Sequence, residues 1–177
     1  FAAHAARAGK GPVYGLDLSR DAVRRAAGRS KDVCWLVADL ANMPLKTGSM
    51  MAVVNLFSPA NYAEFQRVLA PGGVLLKAVP GPAHLKELRR LAGDQLPPRG
   101  PDTQAVARHF AQNMRLSECV RLTRTLPMTQ VQAAQLLQMT PMLFDRDVSA
   151  LSTAGLTDIT VDAELLVGIK SQDEEDV

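Results

Sequence analysis

The sequence predicts an α/β fold: a mostly parallel sheet that carries an antiparallel strand at its C-terminal end. Two patterns support this prediction. Short unbroken apolar runs alternate with helical patterns through the first half of the chain, which is typical of buried parallel strands joined by right-handed crossovers. From Ile159 to Ile169 apolar residues instead alternate strictly, which indicates a strand with two distinct faces and suggests an antiparallel edge pair added to a parallel core.

Local signals define each element of the first half. Unbroken apolar runs predict strands over 13–16, 33–37, 50–57 and 74–79. A helix is expected over 20–29 with Ser19 as its N-cap, because Ser at this position accepts a hydrogen bond from the first turn. Further helices are expected over 60–69 and from about residue 83 to 91, and Pro71-Gly72-Gly73 is expected to be a turn.

The second half has weaker periodicity. Leu116, Val120 and Leu122 favour a strand that Glu118 interrupts, and Thr129 can cap a helix that reaches Met139. The sequence also predicts a loop over 96–101, a short helix over 147–154, a frayed acidic end over 171–177, and the tail of a helix over the first nine residues.

Composition restricts the class of protein. The 177 residues are 47% hydrophobic, enough for one domain with a core, and no run approaches the length of a membrane span. The two cysteines, Cys34 and Cys119, have no metal-ligand spacing, so we expect no metal site within this chain. We therefore predict a soluble cytoplasmic protein, and the net charge of +2 is compatible with a nucleic-acid substrate without requiring one.

Polar residues follow three predicted strands, at the edge where α/β sheets bind ligands. Asp17 comes directly after its strand, where a carboxylate can accept hydrogen bonds from ribose hydroxyls. Asp39 follows the next strand and could accept from an adenine amino group, while the Leu40 N–H meets a ring nitrogen. Asn55 lies near the end of the third strand. Each residue alone has a structural alternative, because an Asp after a strand is often only a helix cap or turn former.

The segment 64–73, Glu-Phe-Gln-Arg-Val-Leu-Ala-Pro-Gly-Gly, resembles the stretch before strand five of class I S-adenosylmethionine-dependent methyltransferases, and its spacing to Asp17 and Asp39 fits. Three further segments, 55–62 (Asn-Leu-Phe-Ser-Pro-Ala-Asn-Tyr), 79–88 and 136–141, resemble the RlmA family, which methylates N1 of a guanine in a 23S ribosomal RNA hairpin. The resemblance runs from Tyr14 to Lys170 and is closer to the Gram-positive branch of that family.

The resemblance implies specific roles. Asp17 and Asp39 match the general class I positions for the ribose and adenine of S-adenosylmethionine, and His84 matches a family histidine that contacts this cofactor. Leu18 and Leu40, which adjoin the two carboxylates, are further cofactor-binding candidates. Without the resemblance, His84 would be interpreted as an ordinary residue at a helix start. Asn55 and Asn61 are candidates for holding the guanine edge. Phe57 could stack on an extruded base, with a core aromatic as the equal alternative; the general base is not identified.

The chain departs from the family pattern at its N-terminal side. The family's zinc ribbon, and the first strand with its glycine loop, have no counterpart in residues 1–177, so we interpret these residues as a single partial methyltransferase domain. Zinc is expected only in that ribbon. In this fold the first strand is central, and its loss would leave buried backbone groups unpaired. We therefore predict a longer functional polypeptide, and poor cofactor binding by residues 1–177 alone.

Basic residues suggest how an RNA hairpin could be positioned through its phosphates. They form three groups, for each of which a solvated surface is the alternative: Arg24, Arg25, Arg29 and Lys31; Lys86, Arg89 and Arg90; Arg115, Arg121 and Arg124. Two other functions stay open, a class I methyltransferase acting on a small molecule and a non-catalytic RNA-binding remnant. A homodimer is also left open by the sequence.

Overall fold

The computed structural model of the protein describes residues 2, 9, 11–93, 102–140, 151 and 153–171. Strands and helices alternate through the first half, as predicted. Over all the described residues, the elements in chain order are β1 (Tyr14–Asp17), α1 (Arg20–Arg29), β2 (Cys34–Val37), β3 (Met50–Leu56), α2 (Tyr62–Val68), β4 (Leu69–Pro80), α3 (Lys86–Ala92), α4 (Thr103–Asn113), β5 (Arg115–Pro127), α5 (Gln130–Met139) and β6 (Asp158–Ile169).

The chain divides into two compact units. The first unit consists of residues 1–51 and 59–70, and the second of residues 52–58 and 71–177. In the first unit β1 and β2 pair in parallel, with Asp17 opposite Val37. The second unit contains a four-stranded sheet in the order β3-β4-β6-β5, in which β6 runs antiparallel to both of its neighbours. The antiparallel C-terminal strand that the alternating pattern predicted is therefore confirmed, with β5 beside it at the edge.

The helices of the first unit begin at polar caps. The Ala22 N–H donates to Ser19 Oγ at the start of α1, which confirms the predicted cap, and the Glu64 N–H donates to Asn61 Oδ1 at the start of α2. Apolar side chains of α1, α2 and the adjoining segments are buried and form the core of this unit: Val23, Val33, Met43, Tyr62, Phe65, Val68 and Leu69.

In the second unit, α3, α5 and β6 share a core cluster of apolar side chains made of Leu85, Leu88, Ala92, Leu137 and Ile159. Helix α4, which the sequence did not predict, covers another part of the sheet: a side chain at Gly168 would come within 2.7 Å of Phe110 and Met114. Polar residues at most positions of α4 hid its periodicity, although Asp102 caps it by accepting from the Ala105 N–H at 3.0 Å.

Two strands are longer than predicted. β4 starts before residue 74 because the Gly72 N–H donates to the Lys170 carbonyl and the Lys170 N–H to the Gly73 carbonyl, which extends the ladder through the predicted turn. β5 continues past Glu118, which pairs with Val167 and is exposed, and the register shift between Leu116 and Glu118 leaves Ser117 as the extra residue, as in a β-bulge. The predictions for residues 1–9, 96–101, 147–154 and 171–177 lie wholly or largely outside the described residues.

Candidate functional site

The two predicted carboxylates lie at the same edge of the parallel pair in the first unit. Asp17 ends β1 opposite Val37, and Asp39 stands two residues beyond Val37 on the chain that leaves β2. Both side chains are exposed. Asp17 Oδ1 accepts from the Ser19 N–H at 2.8 Å, and Asp39 Oδ1 accepts from the Ala41 N–H at 2.8 Å. Each carboxylate is thus oriented by its own turn through one oxygen, and lies where a ligand can reach it.

The residues beside these carboxylates differ in exposure. Leu18 is 72% exposed, so it can cover a bound molecule but does not contribute to a core. Leu40 is partly buried and precedes Ala41, whose N–H is already used by Asp39. The structure therefore brings four of the predicted cofactor-binding residues to one edge of the first unit.

The conspicuous Glu-x-x-Arg motif of α2 clamps the loop that follows Asp39. Glu64 Oε2 accepts from the Met43 N–H at 2.8 Å, while the Arg67 guanidinium donates to the carbonyls of Met43 and Leu45. Arg67 and Glu64 also pair with each other at 2.7 Å. The hydrogen bond from Arg67, followed by that from the Met43 backbone, lowers the pKa of Glu64 to about 2. The motif thus fixes the loop between Asp39 and Leu45.

We expect the Glu64→Gln variant to unfold at a temperature several degrees lower than the wild type at pH 7, because it removes the anion that Arg67 and the Met43 N–H bind. The folded-state pKa of Glu64 is depressed, so its contribution is present above its unfolded value of about 4.3 and is lost as the pH falls towards 2. Thermal unfolding followed by circular dichroism from pH 7 to pH 2 should show the two proteins converging. Glu118→Gln, at an exposed glutamate of β5, is the control; equal effects of both variants would contradict the clamp.

In the second unit, a buried polar network holds the turn after β3. Asn55 and Lys77 are each only 5% exposed. Lys77 Nζ donates to Asn55 Oδ1 at 2.7 Å and to the Ser58 carbonyl at 2.9 Å, and Asn55 Nδ2 donates to Ser58 Oγ at 2.8 Å. Burial lowers the pKa of Lys77. The orientation of the Asn55 amide is therefore set by its partners, and the turn is held by three side chains.

Phe57 sits within this turn in a left-handed conformation, with φ of 52°. Such a conformation is uncommon for a residue with a bulky side chain and occurs where the surroundings impose it. The Phe57 ring is 48% exposed and stacks on His84, with ring centroids 4.9 Å apart and planes inclined by 27°. The structure thus joins two predicted residues, one assigned to substrate and one to cofactor, in a single aromatic surface.

The His84 ring is held in one orientation by β6. The Asp162 N–H donates to His84 Nδ1 at 3.3 Å, so the proton of the neutral ring is on Nε2. Burial, and secondarily the charge of Arg89, lower the pKa of His84, against the opposing effect of Asp162. His84 is therefore a neutral hydrogen-bond donor through Nε2 at physiological pH.

Asp162 is the anchor of the loop that carries His84. It is fully buried, and its carboxylate accepts from the Ala83 N–H at 2.8 Å, from Arg121 Nε and Nη2 at 3.0 and 2.8 Å, and from Thr123 Oγ1 at 2.8 Å. The hydrogen bond from Arg121, ahead of those from Ala83 and Thr123, holds the pKa of Asp162 well below its usual range. A side chain at Gly81 would come within 2.5 Å of this carboxylate, so the loop needs glycine there.

Two residues that the sequence analysis assigned to RNA binding form hydrogen bonds within the protein instead of pointing freely into solvent. Asn61 caps α2 through its side-chain oxygen, and Arg121 binds Asp162 although its side chain is 52% exposed. The other arginines of the predicted basic groups are exposed or partly buried: Arg24, Arg25, Arg29, Arg89, Arg90, Arg115 and Arg124. Arg121 therefore has a structural function that the prediction of a phosphate-binding group did not include.

Sequence reasoning missed Lys77 and Asp162. The signal for Lys77 was available: it is the single charge within the apolar run 74–79. Within the described ranges, no group of three or more His, Cys, Asp or Glu side chains could hold a metal ion. No helix in that part of the chain is both long and apolar enough to cross a membrane.

The family model described as a methyltransferase domain matches residues 1–73. YxjB of Bacillus subtilis (strain 168), provisionally named a 23S rRNA (guanine-N1)-methyltransferase, is 39% identical over 168 residues, covering 92% of this chain and 59% of YxjB. The 23S rRNA (guanine(748)-N1)-methyltransferase of Streptomyces fradiae is 43% identical over 74 residues, covering 41% of this chain and 26% of that protein. The chain thus spans less than two thirds of the length of these relatives.

Among solved structures, a protein from Bacillus halodurans C-125 that is provisionally described as a methyltransferase aligns with a TM-score of 0.57 at 15% identity, covering 92% of this chain and 84% of that one. At that identity the likeness concerns the fold alone. The motif-based resemblance is confirmed: the chain has the class I methyltransferase fold and is a relative of bacterial 23S rRNA (guanine-N1)-methyltransferases.

Proposed function

We propose that this protein transfers the methyl group of S-adenosylmethionine to N1 of a guanine in a hairpin of 23S ribosomal RNA, in the cytoplasm. The observation that carries the proposal is the pair of exposed carboxylates, Asp17 and Asp39, at one edge of the parallel strands β1 and β2. Carboxylates in these positions suit the hydroxyls and the amino group of an adenosine. The similarity to YxjB along 92% of the chain supports the choice of substrate.

The residues present fit the nucleoside half of this methyl donor. We assign the ribose hydroxyls to Asp17, which would bind them through Oδ2 because its Oδ1 accepts from the Ser19 N–H. We assign the adenine amino group to Asp39, which would likewise use Oδ2 because its Oδ1 accepts from the Ala41 N–H. The Leu40 N–H would meet a ring nitrogen and the exposed Leu18 would cover the ring. His84, a donor through Nε2, would bind an acceptor atom of the donor molecule.

We assign the guanine to the turn after β3. The half-exposed Phe57 ring, already stacked on His84, offers a flat apolar surface on which an extruded base can stack. Asn55, fixed by Lys77 and Ser58, would present its amide to the guanine edge. The side-chain oxygen of Asn61 caps α2, so Asn61 would contact the guanine edge through its side-chain nitrogen.

Methyl transfer from this donor depends mainly on how the protein positions the two reactants, and less on protein groups that take part in bond formation. The N1 lone pair forms a bond to the methyl carbon as the carbon–sulfur bond breaks, and its electron pair returns to sulfur, giving a neutral thioether. The N1 proton leaves to water, so charge and atoms balance. Residues of this chain would align the base with the donor and exclude alternative geometries. Exposed arginines such as Arg24 and Arg124 would hold the RNA through its phosphates.

The test uses the protein produced from its complete reading frame, unmodified 23S rRNA and S-adenosylmethionine with a radioactive methyl group. We expect label in RNA and a reverse-transcription stop beside one guanine, because a methyl group on N1 blocks Watson–Crick pairing. Transfer to small molecules alone would favour a small-molecule methyltransferase of the same fold. RNA binding without any transfer would favour the non-catalytic remnant.

A further inference from the structure

Lys77 is an unusual buried cation. Its side chain is 5% exposed, yet both acceptors that it binds, Asn55 Oδ1 and the Ser58 carbonyl, are uncharged. A buried ammonium is normally paired with a carboxylate, because burial without a counter-charge is costly. Asp162, the other buried charge among the described residues of this unit, does have such a partner in Arg121. Because burial of a cation without a carboxylate partner is unfavourable, we expect Lys77 to have a function that offsets this cost.

Within the described residues, Lys77 forms no ion pair with a carboxylate. β3 carries no titratable side chain, and neither does the turn 57–61. On the adjacent strand β6, Lys77 is directly opposite the apolar Leu166. Glu164 is opposite Val79, one pair further along on the same face of the sheet, and Asp162 is bound by Arg121. The ring of His84, which stacks on Phe57 of the turn, is neutral, and burial raises the pKa of Tyr62, the residue that follows the turn. Positive potential from Lys77 is therefore directed at Asn55 and the turn.

We propose that Lys77 is a positioning residue for methyl transfer, which fixes the Asn55 amide and supplies, through it, the positive charge that favours loss of the guanine N1 proton. The inference depends on the proposed function. Removal of the N1 proton leaves a negative charge shared between N1 and O6 of guanine, and an uncompensated cation behind the hydrogen-bonding amide stabilises that anion. The proton itself goes to water, so no protein base is needed, and Lys77 need not touch the base.

The experiment compares wild type with Lys77→Met, which keeps the length of the side chain without its charge, in single-turnover methylation from pH 6 to pH 9.5. We expect the rate at pH 7 to fall about tenfold and the rising limb of the pH profile to move up by about one pH unit. The methylation rate at saturating S-adenosylmethionine and the Kd for S-adenosylmethionine are measured separately. This Kd should stay within about twofold of the wild-type value. Lys46→Met, at an exposed lysine, is the matched control and should leave the profile unchanged.

Lys77→Gln provides a second variant in case Lys77→Met does not fold. The glutamine keeps an N–H that can donate to Asn55 Oδ1 but removes the charge, so the same upward shift is expected. A rate loss without any movement of the profile in either variant would overturn the inference and leave Lys77 a structural residue. Absence of guanine methylation by the wild type would instead refute the proposed function, which separates the two failures.

Discussion

Asp17→Asn is expected to weaken the binding of S-adenosylmethionine by about 100-fold. Hydrogen bonds to a charged acceptor contribute about 1.5–3 kcal/mol each, and we assign the ribose hydroxyls to this carboxylate. The substitution keeps an oxygen that can accept from the Ser19 N–H, so the start of α1 should survive. The loss should therefore appear in ligand affinity and not in the stability of the first unit. Isothermal titration with S-adenosylmethionine measures it directly.

Asp21→Asn is the matched control for this prediction. Asp21 is an exposed carboxylate in the first turn of α1, four residues from Asp17, and removing its charge changes the local potential by the same unit. Its variant should bind S-adenosylmethionine within about twofold of wild type. If the two variants bind equally well, Asp17 does not grip the ribose and the nucleoside site lies elsewhere.

The sequence predicted those features whose causes are local. Strands β1 and β2 are short apolar runs, and an Asp beyond each run marks its end, so the common edge of Asp17 and Asp39 could be inferred from strand order alone. Ser19 and Thr129 were recognised as caps for the same reason, since a cap bonds to residues within three positions. The roles of these residues in binding remain predictions.

Features that depend on distant partners were not predictable. In β6 the apolar odd-numbered residues suggested the buried face, yet Thr160 and Asp162 on the other face are 1% and 0% exposed. They are buried because Glu87 accepts from both the backbone N–H and the hydroxyl of Thr160, and because Arg121 and Thr123 satisfy Asp162. These partners are 73, 41 and 39 residues away in sequence. A single sequence gives no register between such segments, so the pattern cannot show that a polar face is satisfied.

The same reasoning explains why the site was predicted as separate residues. Phe57 and His84 are 27 positions apart, and their stacking depends on Lys77 holding one turn and Asp162 holding the other loop. Neither Lys77 nor Asp162 belongs to a recognisable sequence motif, because the role of a buried lysine or aspartate in a strand depends on the distant residues that it contacts. Candidate ligand-binding positions can therefore be proposed from strand-end rules, whereas the residues that orient them require the structure.

Asp162→Asn is expected to lower the free energy of unfolding by about 2–3 kcal/mol. Breaking a buried ion pair costs about 3–5 kcal/mol, and the exposure of Arg121 to solvent reduces that figure here. The Asn side chain has one oxygen and therefore cannot accept from Ala83, Thr123 and both nitrogens of Arg121 together. Denaturant unfolding measures the loss. Asp158→Asn, at an exposed aspartate of the same strand, should change stability by less than about 0.5 kcal/mol.

The pH dependence of stability provides the second part of this test. Because the folded-state pKa of Asp162 is depressed, its stabilising contribution is complete above the unfolded value of about 3.9 and declines as the pH falls below it. The gap between wild type and Asp162→Asn should thus be constant from pH 8 to pH 5 and narrow below pH 4. The loop bearing His84 should loosen in the variant, because the Ala83 N–H loses its partner, and hydrogen exchange at Ala83 would report it. A gap that stays constant down to pH 3 would show that the carboxylate charge does not hold this loop.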